Sequence, residues 1–247
     1  MVTANNATLL LHRGSRKVTP EELLEISAPQ PTRSWHPIPH YRVLDSARSA
    51  IEQTGFKVTR MELGVSRDDH KFFGVLDLAS TIVEGVMLAV GVRNSTDKSL
   101  PAGIAAGERV LVCDNLAFSA QIVVMRKHTT YIERELDQRI LDGITRLPAF
   151  QENAAGRIRR LQETPMDNPG AHDLIVRAVD ERCIGLRDLP KVLERWRSPG
   201  YEAFGPRTAW SLYNAFTEVA KDRFERQPTT TAAQSIRLNR LFGTVLN

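Results

Sequence analysis

Apolar residues recur with two different periods along this chain, and the change from one to the other falls near residue 130. Up to that point they alternate. Phe56 and Val58, then Met61, Leu63 and Val65, follow a period of two with one slip, which predicts a strand carrying a bulge. Arg67-Asp68-Asp69-His70 reads as a polar turn and Lys71–Ala79 as the returning strand. Val86–Arg93 predicts a third strand, closed by a second polar turn at Asn94–Ser99. Val110–Cys113 and Gln121–Arg126 read as two further short strands, so residues 56–126 are expected to form an antiparallel meander.

From Tyr131 the step becomes helical. Ile132, Leu136, Ile140 and Ile144 stand four apart, and Phe150, Ala154, Ile158 and Leu161 continue the stripe beyond Pro148. Asn168-Pro169 starts another helix that Gly185 closes, and Asp188 starts a short one carrying Trp196. Thr208–Phe224 reads as a strong helix with Trp210, Tyr213 and Phe216 on one side, Asn214 bonded to a neighbouring backbone group, and a last helix near Ala232–Leu246. Ahead of the sheet, residues 1–18 read as a loose arm. Thr19-Pro20-Glu21-Glu22 carries a cap, a first-position proline and a capping-box glutamate, which predict a short helix start. Pro29, Pro31, Pro37 and Pro39 make Ala28–His40 an extended connector, after which Asp45 or Ser46 is expected to cap a helix ended by Gly55.

Strands first and helices second predict an α+β fold: an antiparallel β-meander followed by a helical C-terminal half. The expected division is an N-terminal arm and short helix (1–34), a sheet domain with a long helix (35–147) and a helical region (148–247), with 163–170 as the other candidate boundary. The chain has 247 residues, enough to bury a core without disulfides, and its two cysteines, Cys113 and Cys183, are expected to be reduced, buried thiols. Its apolar runs are far shorter than the roughly 20 residues of a membrane span, and nothing at the N-terminus has the shape of a signal peptide, so a cytoplasmic protein without membrane contact is expected.

The net charge is +4. Residues 1–120 carry equal numbers of basic and acidic side chains, so the whole excess lies in the second half. A polyanionic partner is permitted by this bias without being required. Neither phosphate-loop nor dinucleotide glycine spacing occurs, and no cofactor is expected. His36 and His40 stand four apart, but two prolines between them argue against the helix that would make them chelate a metal. Asp68, Asp69 and Asp77 lie on and beside a hairpin, where turn chemistry explains the first two better than a metal-dependent nuclease site. No catalytic motif stands out, a Cys113–His128 thiolate pair having no local support.

Several ordered segments resemble a family found in phages, plasmids and prophages and known as domain of unknown function 932. They are Trp35–Tyr41, Gly91–Ser99, Val112-Cys113-Asp114-Asn115, Lys127-His128-Thr129 and Tyr213–Glu218. The resemblance spans about residues 35–245, and departs from the family pattern at Leu116, where members often carry glycine. It implies a mobile-element setting, in which DNA handling, anti-restriction and interference with host defence are common roles. The order helix, meander, long helix is also similar to the core of single-strand-annealing recombinases, an analogy of fold alone. The expectation that follows is a nucleic-acid-binding accessory protein, with a basic groove formed by the sheet and the helix from Tyr131. Lys57, Arg60, Arg126, Lys127, Arg157, Arg159 and Arg160 would contact phosphate, with Tyr131 or Trp196 for base stacking. The alternative is a protein-binding module, an inhibitor or scaffold subunit that could also pair with its own copies, using Trp196, Trp210, Tyr213 and Phe216.

Overall fold

A six-stranded antiparallel sheet, laid out in sequence order, carries the whole architecture. The computed structural model describes residues 16–246 except 114 and 227, and among these the side chains of all but 119–123 and 222–229. The arm expected at 1–18 therefore lies almost entirely outside the described residues. Its last part is a two-residue strand, β1 (Arg16–Lys17), paired to the strand that follows the first two helices.

Helix α1 (Pro20–Glu25) starts as its sequence requires: Thr19 accepts from the Glu22 backbone and the Glu22 carboxylate reaches back to Thr19. Helix α2 (His40–Gln53) begins six or seven residues earlier than the expected caps Asp45 or Ser46 implied, directly after Pro39. Proline suits the start of a helix, and Ser46 turns its hydroxyl back to Arg42 and Asp137 instead of capping.

The strands are β2 (Val58–Val65), β3 (Lys71–Val83), β4 (Val86–Ser95), β5 (Ala102–Val110) and β6 (Asn115–Arg126). The slip in β2 is real: its register against β3 shifts between Val58 and Arg60. Asp69, at the hairpin tip, has φ 56°, a left-handed conformation that aspartate tolerates in turns. The largest difference from the sequence reading is β5. Val110–Cys113 is not a strand: Val110 ends β5, and 111–113 form the turn to β6. β5 is rich in Ala and Gly, whose small side chains carry little alternation signal.

Register assigns the two faces. Phe72, Leu76, Leu88, Val90, Val92, Ile104 and Ala106 point to one side and meet α2, with α3 (Ile132–Ile144) and α4 (Leu147–Glu163) packed on the same face. Pro148 sits in the first turn of α4, so it starts a helix there. The other face carries Phe73, Val75, Ala89 and Ala105, and Phe118 and Ala232 pack against it. After α5 (Asn168–Asp180) and α6 (Leu189–Arg197), helices α7 (Ala209–Arg226) and α8 (Pro228–Gly243) complete the chain. Ser235 and Asn239 of α8 bond the backbone of Phe118, covering the outer strand of the sheet with side-chain partners. One cluster of buried apolar residues runs from Val18 to Phe242, across the positions 34/35 and 147/148.

Candidate functional site

Three loops converge at the end of the sheet where β4 and β6 finish: the proline connector, the turn after β4 and the segment after β6. Two prolines hold Ile38 extended, so its N–H and C=O have no helix or strand to join. Side chains take their place. Ile38 donates its N–H to His128 Nδ1 at 3.2 Å, and Asn94 Nδ2 donates to the Ile38 carbonyl at 2.8 Å. His36 adds a backbone bond to the His128 carbonyl. His40, wholly buried, lies against Asn94 through Nδ1 and against the Asp69 carbonyl through Nε2, and stacks on Phe72.

These partners settle the protonation states. Nδ1 of His128 accepts a hydrogen bond and must be bare, so that ring is neutral with its proton on Nε2. Nε2 of His40 donates to a carbonyl while Nδ1 accepts from the Asn94 amide. Burial disfavours the charged ring and pushes both histidines below the usual histidine range. With both nitrogens engaged, His40 offers nothing to a metal. Among the described residues no group of three or more His, Cys, Asp or Glu is placed to hold one.

On this braced platform stand the exposed groups. Lys98, at φ 68°, sets its ammonium 4.8 Å from the centre of the Trp35 ring. Lys127 is exposed, and Tyr131 presents 57% of its surface. Among the described residues neither lysine makes an ion pair.

The other basic candidates are dispersed. Arg126 reaches this end of the sheet but pairs with Glu135 of α3 at 3.0 Å. Arg60 is linked through Asp77 and Ala89 to Gly107, whereas Arg126 pairs with Ala102, five positions along β5. That spacing is roughly 17 Å along the strands, with four strand intervals in addition. Lys57, beside Ala79, is as remote as Arg60. Arg159 and Arg160 lie exposed on α4.

Two candidates are unsuited to the role expected of them. Arg157 points inward to Glu108, 2.5 Å away, beside the Tyr213 ring, so its guanidinium is already occupied. Trp196 is 1% exposed, bonded to Asn168 and covered by Arg207, which removes it as a stacking platform. A helix with two arginines flanking a tryptophan placed the aromatic in the core and the charges outside. Trp210, Tyr213 and Phe216 are buried as well, Trp210 at the wall of a cavity and the other two wholly enclosed. Asn214 donates to the Trp210 carbonyl, the backbone partner expected of it.

The carboxylates singled out near the hairpin do not converge. Asp68 bonds Ser66, Asp69 pairs with Arg16, and Asp77 meets Arg109 at 2.8 Å in a buried pair. Lys98 and Trp35 were not among the expected contacts. Their signal lay in the ordered segments Trp35–Tyr41, Gly91–Ser99 and Lys127–Thr129, which the fold brings to one place.

The family model of the domain of unknown function (DUF932) matches residues 30–242. The chain belongs to this family. No curated protein and no solved structure matches it. Within the DUF932 match, the three converging segments make the brace, while Asn115 and Thr217 bond to each other in the core at 2.9 Å. The last residue of the Val-Cys-x-Asn segment is therefore buried and bonded within the core of this DUF932 chain, and Asp114 lies outside the described residues.

Proposed function

We propose that this DUF932 protein is a nucleic-acid-binding accessory protein that holds single strands and performs no covalent step. The reading rests on one observation: Lys98 over Trp35, Lys127 and Tyr131 stand together on three loops braced from within by His128, Asn94 and His40. Cations without a carboxylate partner contact phosphate, and an exposed aromatic ring stacks on an unpaired base. The rigid platform beneath lowers the ordering cost of holding a flexible strand. A cytoplasmic role in a phage or plasmid follows from the resemblance given above. No helix among the described residues is long and apolar enough to cross a membrane.

The test is fluorescence anisotropy of a labelled mixed-sequence oligonucleotide at low salt, single-stranded and duplex. The single strand should bind more tightly, and Lys98→Ala, Lys127→Ala and Tyr131→Ala combined should weaken it at least about tenfold. No binding of DNA or RNA by the unaltered protein would remove this reading.

A second reading, a protein-binding module, is favoured by Leu111 and Val112, which are 58% and 50% exposed on the β5–β6 turn. Beside them is a cavity of about 330 Å³ lined by Val86, Val110, Phe204 and Trp210. It takes first place if the oligonucleotides do not bind.

A further inference from the structure

A second cavity, of about 170 Å³, lies between the sheet face opposite α2 and the first turns of α8. Its walls are apolar: Phe73, Phe118 and Met125 from the strands, Ala232, Ala233 and Ile236 from the helix. Gly91 and Gly103 also border it. A Cβ at Gly91 would come within 2.6 Å of the Phe118 ring, and one at Gly103 within 2.0 Å of the Val124 carbonyl. Glycine at both is therefore required by the strand packing: the Phe118 ring lies over Gly91, and the β6 backbone passes over Gly103.

Among the described residues, one charged side chain lines this cavity. Arg93 follows Gly91 on the same face, in line with Phe73 and Gly103 across the sheet. It is half-buried and, among the described residues, makes no ion pair; its guanidinium meets only the Met125 sulfur, a weak acceptor. The other half-buried or buried arginines of the sheet strands, Arg109 and Arg126, each face a carboxylate, as does Arg157 on α4. A guanidinium partly removed from water without an anion is costly, and an anion supplied from outside would offset that cost. An apolar cavity of about 150 Å³ is enough for a benzene ring.

We infer that this cavity is a binding site for a small apolar monoanion, a single-ring aryl carboxylate, whose ring packs beneath Ala233 and Ile236 against the wall formed by the edge-to-face pair Phe73 and Phe118. Its carboxylate pairs with the Arg93 guanidinium in two parallel hydrogen bonds. The site is separate from the loop platform proposed for nucleic acid, and it stands or falls independently of that reading.

The probe is benzoate, titrated into full-length protein carrying 13C-methyl methionine. The Met125 methyl signal should shift under the ring current and saturate at millimolar benzoate, while the Met166 signal stays still. Arg93→Gln should weaken benzoate roughly tenfold or more, the loss expected of a charge-assisted hydrogen bond, yet leave uncharged benzyl alcohol binding as before. Ala233→Leu, at the exposed mouth, should block both probes, and an unchanged melting curve for each variant confirms folding. Three results would overturn the inference: no Met125 shift, equal benzoate affinity in the Arg93→Gln protein, or displacement of benzoate by a single-stranded oligonucleotide, which would assign the cavity to the strand path.

Discussion

The backbone N–H of Ile38 is bonded to a side chain ninety positions later, Nδ1 of His128. This bond exists only while the imidazole is neutral, because a protonated Nδ1 is a donor and cannot accept.

The consequence is a defined pH dependence. Burial lowers the pKa of both His128 and His40 in the folded protein, so below about pH 6.5 the unfolded chain binds more protons than the folded one. The stabilisation is fully present above about pH 6.5 and is lost as pH falls toward the depressed folded values. Melting temperature should decline from about pH 7 to about pH 5.5, and His128→Gln should decline less steeply. A flat profile over that range would contradict the buried, neutral assignment.

Salt dependence distinguishes the loop platform from the arginines of α4. Each phosphate neutralised on a single strand contributes a slope of about −0.7 in log affinity against log salt. Removing Lys98 and Lys127 together should flatten the slope by about 1.4. Removing Arg159 and Arg160 should leave it nearly unchanged. The reverse pattern would move the strand to α4.

Arg157 is expected to act on stability instead. Glu108 is nearly inaccessible to solvent, and its carboxylate meets Arg157 and the Tyr213 hydroxyl. Burial, with the Glu108 charge nearby, pushes the Tyr213 pKa far above the usual range, so the hydroxyl stays protonated and can donate. Arg157→Ala strands the carboxylate in the core, and urea denaturation should report a loss of about 3 kcal/mol. Arg159→Ala should cost under about 0.5 kcal/mol, as for an ordinary surface position.

The thiols should be silent. Cys113 and Cys183 are both buried and form no disulfide, and burial pushes the Cys183 pKa up to about 11. Under native conditions at neutral pH, labelling with an aromatic disulfide reagent should track unfolding. Rapid stoichiometric labelling of either cysteine would contradict its buried position.

Much of the fold was legible because it rests on local chemistry. The Thr19–Glu22 capping box, the β2 bulge and the period-four stripe of α3 are all written within a few residues. β5 was missed for the opposite reason: glycine and alanine are chosen there for close packing against Phe118 and β6, a constraint set by distant partners. The site was half legible. Lys127 and Tyr131 could be picked out as an exposed cation and aromatic after a strand. The pairing of Trp35 with Lys98, and the burial of Arg157 and Trp196, depend on contacts across the chain that no local pattern records.

The Glu108–Arg157–Tyr213 contact has a practical consequence for dissecting the protein. A carboxylate in the sheet is matched by groups from α4 and α7, both beyond residue 147 apart from the first position of α4. A fragment ending at 147 would keep the anion and lose both of its partners, together with the apolar helices that shield it. Limited proteolysis should accordingly yield no stable sheet fragment, and any shortened version of the chain intended for mapping the loop platform needs to retain the helical half.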